Sequence, residues 1–212
     1  MVHRQVRSRG IRDPEVLRAM GSIPRERFVP PELADRAYDD GALGIGSGQT
    51  ISQPYIVARM TEALGLAEWA AAHPVETARV LDVGTGSGYQ AAVLAALGAE
   101  VVGVERDEEL ATDALRRLGA LGMAVDIHVG DGTLGWPERA PFAGIIVAAA
   151  APEVPEPLLA QLADGARIVV PVGTRQHQEL MMVRRAGSRL EEQHLEPCVF
   201  VPLIGRFGFP EG

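Results

Sequence analysis

From residue 78 onward the chain alternates short apolar runs with longer mixed stretches. The runs A-R-V-L-D-V (78–83), A-E-V-V-G-V-E (99–105), V-D-I-H-V-G-D (125–131), F-A-G-I-I-V-A-A-A (142–150) and A-R-I-V-V-P-V-G (166–173) are dominated by aliphatic residues and read as buried strands. Tyr89–Leu97, Asp107–Leu118 and Glu156–Leu162 lie between them and read as helices. Apolar strands separated by helices predict a parallel sheet covered on both faces. Q-E-L-M-M-V-R-R (178–185) and P-C-V-F-V-P-L (197–203) follow with no helix between them, which predicts an antiparallel pair at the end of the sheet.

The first 54 residues have a different texture. Asp13 caps and Pro14 opens a short helix predicted to run to Met20 and end at Gly21. Pro24, Pro30 and Pro31 then punctuate short helical turns such as Pro31–Tyr38, which reads as a helical cap on something larger. The stretch D-D-G-A-L-G-I-G-S-G-Q-T-I-S-Q-P (39–54) has four glycines between 41 and 48 and reads as a loop whose backbone must come close to something. Pro54 starts a helix, Tyr55–Leu64, with Ile56, Met60 and Leu64 on one stripe. The expectation is one domain over 1–212, with 1–54 as cap and active-site loop and 55–212 as a doubly wound core of seven mostly parallel strands.

Composition narrows the chemistry. All 20 basic residues are Arg; with no Lys there is no P-loop lysine and no Schiff-base chemistry. Against 28 acidic residues the net charge is −8, which disfavours nucleic acid and anionic membranes as partners. Cys198 is the lone cysteine, so no intrachain disulfide or cysteine zinc cluster forms. His3, His73, His128, His177 and His194 have no ligand spacing, so no metal is expected. The N-terminal M-V-H-R-Q-V-R-S-R-G has no apolar targeting stretch, and no run of about 18 apolar residues occurs. A soluble, cytoplasmic monomer is expected.

Candidate chemistry gathers at strand ends. L-D-V-G-T-G-S-G-Y (81–89) is a strand-to-helix turn, where ligands bind in doubly wound sheets. Gly84, Gly86 and Gly88 allow a tight turn and close backbone approach, and the helix N-terminus behind offers free N–H groups. Nicotinamide-binding folds have a glycine turn too, but here the spacing is G-x-G-x-G. Asp82 precedes the first glycine by two residues, where it would favour a cation over a pyrophosphate. Glu105 ends the next strand, placed to accept both hydroxyls of a ribose.

D-x-G-x-G-x-G together with Glu105 resembles the S-adenosylmethionine-dependent methyltransferases, which implies their Rossmann-like doubly wound α/β fold. The donor carries a sulfonium and an ammonium, in keeping with acidic residues around the turn. G-D-G (130–132) matches the segment that lies beside the adenine in that family, although Asp131 could equally be an ordinary turn residue.

The resemblance narrows further. M-V-H-R-Q-V-R-S-R-G-I-R-D-P-E-V-L-R-A-M, I-P-R-E-R-F-V-P, S-G-Q-T-I-S-Q-P-Y, G-D-G-x-x-G-W (130–136), R-A-P-F-A-G-I-I-V-A-A-A-A-P-E-V-P (139–155), P-V-G (171–173) and V-F-V-P-L-I-G (199–205) resemble the bacterial protein-L-isoaspartate O-methyltransferases, in order and at family spacing. The resemblance implies methyl transfer from S-adenosylmethionine to the free α-carboxylate of L-isoaspartyl residues in damaged proteins. The ester then recloses to a succinimide unaided, and hydrolysis returns some normal aspartate. It also implies Ser52 as the active-site residue, orienting the acceptor rather than attacking. Thr50, Ile51, Ser52, Asp82, Gly84, Gly86, Ser87, Gly88, Glu105, Asp131 and Gly132 are implied around the cofactor. Ser52 alone could instead be a helix N-cap, Trp136 reads as a packing anchor, and Arg206 could meet substrate charge or only water. A carboxylate acceptor is ionised at pH 7, its pKa being about 3.5–4, so no general base is required. Isoaspartyl peptides are the expected partners.

Overall fold

The structure is a computed structural model and describes residues 1–211. After irregular helical turns over Val2–Arg9, helix α1 (Pro14–Ser22) starts where the Asp13 carboxylate accepts the N–H groups of Glu15 and Val16 at 2.8 and 3.2 Å. Gly21 does not end it: the chain leaves the helix at Ile23, in an extended conformation. Short 3-10 turns cover Arg25–Phe28 and Pro31–Arg36. The glycine-rich stretch expected as a loop contains an antiparallel hairpin, β1 (Leu43–Gly46) and β2 (Gln49–Ile51), which turns at Ser47. Helix α2 (Pro54–Leu64) buries Tyr55, Val57, Ala58, Met60, Thr61 and Leu64 but leaves Ile56 only half-buried, so the stripe is broader and rotated from the expected one. Gly65, at φ 65°, ends α2 in a left-handed cap, and α3 (Leu66–Ala72) follows, an unforeseen helix.

The core alternates β3 (Arg79–Val83), α4 (Tyr89–Ala96), β4 (Glu100–Glu105), α5 (Glu108–Ala120), β5 (Asp126–Val129), β6 (Phe142–Val147), α6 (Glu156–Ala160) and β7 (Leu162–Gly173), and closes with β8 (Gln178–Ala186) and β9 (Arg189–Cys198). The seven strands order β5-β4-β3-β6-β7-β8-β9; the first five are parallel and the last two antiparallel. The final strand lies earlier than expected. Residues 199–205 leave the ladder and run beside the sheet top, joined by bridges such as Ala150 with Pro202. Likewise β6 stops at Val147, and beyond it Ala150 and Ala151 are buried and make only isolated bridges, to Pro202 and Val172.

Val80, Leu81, Val83, Val102, Ile145, Ile146, Ile168 and Val169 are fully buried, because helices cover both faces of the parallel part. Strand order reverses between β3, which continues to β4 on one side, and β6 on the other. That reversal opens a crevice at the carboxyl ends of β3, β4 and β6. Among the described residues no helix is long and apolar enough to cross a membrane.

Candidate active site

The crevice at the reversal holds a cavity with about 900 Å³ of empty space, counting the part open to solvent. Its floor is the turn after β3, where Gly84, Gly86 and Gly88 adopt φ of 77°, 54° and 89°. These values belong to the left-handed region that side chains resist. A Cβ on Gly86 would stand 3.3 Å from Ile45 of the hairpin; one on Gly88 would meet Ala114 and Leu118 of α5. Gly86 therefore lets the hairpin close over the turn, and Gly88 lets α5 pack behind it.

Glu105 secures the turn. Its Oε2 accepts the Gly86 N–H at 2.8 Å, and its Oε1 accepts the N–H groups of Arg106 and Asp107 at 2.7 and 3.1 Å. The side chain also lines the cavity. Asp82 lies beneath: it is 0% exposed and both carboxylate oxygens lack a hydrogen-bond partner. Burial, reinforced by the Glu105 charge, pushes its pKa up to about 7.

Of the residues implied by sequence, Thr50, Ile51, Ser52, Gly84, Gly86, Ser87, Glu105 and Gly132 line this cavity. Asp82, Gly88 and Asp131 stand outside its lining. The Asp131 carboxylate is engaged within the chain: Oδ1 accepts the Thr133 N–H and hydroxyl at 2.9 and 2.7 Å, and Oδ2 accepts the Arg206 N–H at 2.8 Å. Burial opposes its charge, but these donors win and hold the carboxyl below its ordinary value. The Arg206 side chain is exposed. Trp136 stacks on His128, with ring centroids 3.9 Å apart.

Several further residues build the wall. Met60 from α2, Tyr89 and Gln90 from α4, Ala148 and Ala149 after β6, and Val201–Ile204 all line the cavity. The last two groups lie in motifs that carried the resemblance: small alanines after the strand leave room beside a cofactor, and Val201 falls in the C-terminal segment that the resemblance puts near the peptide groove. Tyr89 and Gln90 directly follow the glycine turn, which was the available signal.

Ser52 occupies a boundary. A second cavity, on the outer side of the hairpin, is lined by Arg9, Asp40, Tyr55, Glu196, Cys198 and Val199 among others, and shares Thr50, Ser52, Ala148 and Val201 with the first. Helix α2 is preceded by Gln53 and has no side-chain cap, so the N-cap reading of Ser52 does not apply. The Gln53 amide instead donates to the Asp40 carboxylate at 2.7 Å. The Arg9 guanidinium lies 3.8 Å from the Tyr55 ring centroid, and the Tyr55 hydroxyl donates to Glu196 at 3.1 Å.

A doubly wound sheet closed by antiparallel strands, with a G-x-G-x-G turn bordered by Asp82 and Glu105 at its reversal, fits the S-adenosylmethionine-dependent methyltransferases as a class. Within that class, residues 1–208 match the family model described as protein-L-isoaspartate(D-aspartate) O-methyltransferase, and the chain belongs to that family. A protein-L-isoaspartate O-methyltransferase from Methanoregula boonei is 51% identical over 210 residues, covering 99% of this chain and 93% of the relative. A solved protein-L-isoaspartate O-methyltransferase superposes with a TM-score of 0.83 at 29% identity, covering 98% of this chain and 67% of its own. A Plasmodium falciparum structure described as a protein-L-isoaspartate O-methyltransferase, solved with S-adenosyl-L-homocysteine, shares the fold at a TM-score of 0.79 and 23% identity, with 96% of each chain covered.

Proposed function

We propose that this chain transfers the methyl group of S-adenosylmethionine to the free α-carboxylate of L-isoaspartyl residues, with Ser52 orienting the acceptor. The observation that carries this reading is the shared wall. Thr50 and Ser52 face both the cavity above the glycine turn and the outer groove, so a donor on one side and a peptide on the other would meet at the serine.

The residues present fit the donor. Asp82 brings a buried carboxylate without a partner, suited to a positively charged ligand. Glu105 lines the cavity, and with backbone N–H groups on three of its about four acceptor sites it keeps room for one ribose hydroxyl, on Oε2. Gly84, Gly86, Ser87 and Gly132 offer close backbone, and Thr50 and Ile51 close the outer side. When bound, the cofactor supplies an electrophilic methyl carbon on a sulfonium.

The chain's own task is positioning. An ionised carboxylate needs no base, so the work lies in holding its oxygen in line and stripping water from it. Ser52 is half-buried and offers a hydroxyl donor at the junction. A well-held geometry of this sort is worth up to roughly 7–11 kcal/mol of barrier. The reading keeps the protein a cytoplasmic monomer acting on peptides rather than nucleic acid, in line with its net charge of −8.

The test is a pair of peptides differing only in an isoaspartyl or a normal aspartyl linkage, given labelled S-adenosylmethionine. Label is expected in the isoaspartyl peptide alone. Label in both, or in neither, overturns the reading.

A further inference from the structure

Arg25 carries a charge that the chain does not neutralise. It opens the 3-10 turn Arg25–Phe28 in the cap and is 0% exposed. Its Nε donates to the Ala37 carbonyl and its Nη2 to the Ser52 carbonyl, both at 2.7 Å. The guanidinium lies 4.7 Å from the Tyr89 ring centroid, and Tyr89 itself lines the cavity. Nη1 is buried with no partner. Ion pairs among the described residues join Arg9, Arg18, Arg36, Arg59 and others to carboxylates, but none includes Arg25.

A buried guanidinium with only carbonyls and a ring face for company is a poor device for stability. Well-packed apolar groups commonly serve as well or better at such positions. Its geometry is better matched to the active site. The bond to Ser52 fixes the plane of the Ser52–Gln53 peptide, which is rigid, and with it the position of the Ser52 Cα from which the side chain leaves the backbone. The bond to Ala37 fixes the arginine in turn to the cap. The positive charge stands directly behind the residue that meets an anionic acceptor, in a setting too dry to screen it.

We propose that Arg25 is the positioning residue of the acceptor site: it holds Ser52 from inside the protein and lends its uncompensated charge to an incoming carboxylate. This role rests on Ser52 orienting the acceptor, as proposed above.

The test compares wild type, Arg25→Lys and Arg25→Met in steady-state methyl transfer to an isoaspartyl peptide, with S-adenosylhomocysteine affinity measured by calorimetry. Arg25→Met is expected to lower kcat/KM for the peptide at least tenfold, while affinity for S-adenosylhomocysteine stays within about threefold. Arg25→Lys, which keeps the charge, should recover part of the loss. Because Arg25→Met can fail to fold, a cycle of Arg25→Lys with Ser52→Ala provides the second readout: the effect of Arg25→Lys should shrink once the hydroxyl it positions is gone. Unchanged kcat and KM in folded Arg25 variants, or strict additivity in the cycle, overturns the role. A wild type that fails to label the isoaspartyl peptide overturns the functional reading instead, so the two failures are distinct.

Discussion

The Oε2 of Glu105 accepts the Gly86 N–H at 2.8 Å, so a carboxylate at the end of β4 fastens the turn that follows β3. One side chain thus shapes the glycine turn and faces the cavity above it. Glu105→Ala removes both contributions, and losing one side of a charge-assisted hydrogen bond costs about 1.5–3 kcal/mol. S-adenosylhomocysteine affinity should fall roughly ten- to hundredfold by calorimetry. Glu105→Gln retains one acceptor oxygen and should fall less; equal affinity in wild type and Glu105→Ala would remove Glu105 from the site.

Asp82 makes the protein's stability depend on pH in a definite sense. Its pKa is about 7 in the fold against 3.8 for the free side chain, so the native state holds the proton over that interval and the unfolded chain does not. Stability therefore falls as pH rises from about 4 to 7, and the penalty is fully present above it. Asp82→Asn keeps the group neutral and should gain on wild type across the same window, by a few kcal/mol at pH 8. Urea melts of the ligand-free proteins at pH 5 and pH 8 check this. A difference that does not widen with pH would contradict the buried, unpartnered state. A cationic ligand favours the charged form, so S-adenosylmethionine binding near pH 7 should release a proton, visible as buffer-dependent binding heat.

The parallel strands and the glycine turn were legible because their physics is local. Strands buried on both faces must be aliphatic throughout, and a turn with left-handed residues must use glycine. The end of the sheet was misread for a related reason. The actual last strand, R-L-E-E-Q-H-L-E-P-C, is an exposed edge whose polar residues hide the strand pattern. The apolar V-F-V-P-L that resembled a strand is apolar because Val201–Ile204 close the cavity. The hairpin was hidden because Gly46 and Gly48, with Ser47 at φ 49° between them, look like an unstructured loop until the pairing of Leu43 with Ile51 is known.

Arg25 shows the other limit. In I-P-R-E-R-F, alternating charges suggest a solvated surface, and Arg27, two residues along, is indeed exposed. Burial of Arg25 depends on Ala37, Ser52 and Tyr89, from three separate parts of the chain. No local pattern carries that information, whereas Ser52 itself was accessible only through the resemblance of Q-T-I-S-Q-P to a family.

Ser52 stands between two cavities without serving as a helix cap, so its hydroxyl is available to an acceptor. Ser52→Ala should lower kcat on the isoaspartyl peptide about ten- to hundredfold, equivalent to the about 1.5–3 kcal/mol of one hydrogen bond to a charged group. Affinity for S-adenosylhomocysteine should stay within about threefold, because the glycine turn and Glu105 are untouched. Single-turnover rates with saturating peptide check the first expectation and calorimetry the second. Turnover equal to wild type would exclude Ser52 from the mechanism.

Asp131 ties the segment that closes the cavity to the end of β5. Its carboxylate accepts the Arg206 N–H at 2.8 Å, while Thr133 Oγ1 accepts the Phe207 N–H at 3.2 Å and donates to Asp131. Gly205 lies so near the carboxylate that a Cβ there would collide with it. The Asp131 pKa is lowered in the fold, so its contribution is present above the ordinary carboxylate value of 3.8 and is lost as pH falls through the lower native value. Asp131→Ala should leave the sheet intact yet release residues 203–209. Hydrogen exchange at the Arg206 and Phe207 amides should accelerate at pH 7, with protection in β3 and β6 unchanged. Cofactor affinity should fall as well, because Leu203 and Ile204 form part of the cavity wall. Unaltered exchange at Arg206 would mean that the segment is held by its apolar contacts and its backbone bonds, such as the Leu203 N–H to the Ala150 carbonyl, and that the carboxylate has no closing role.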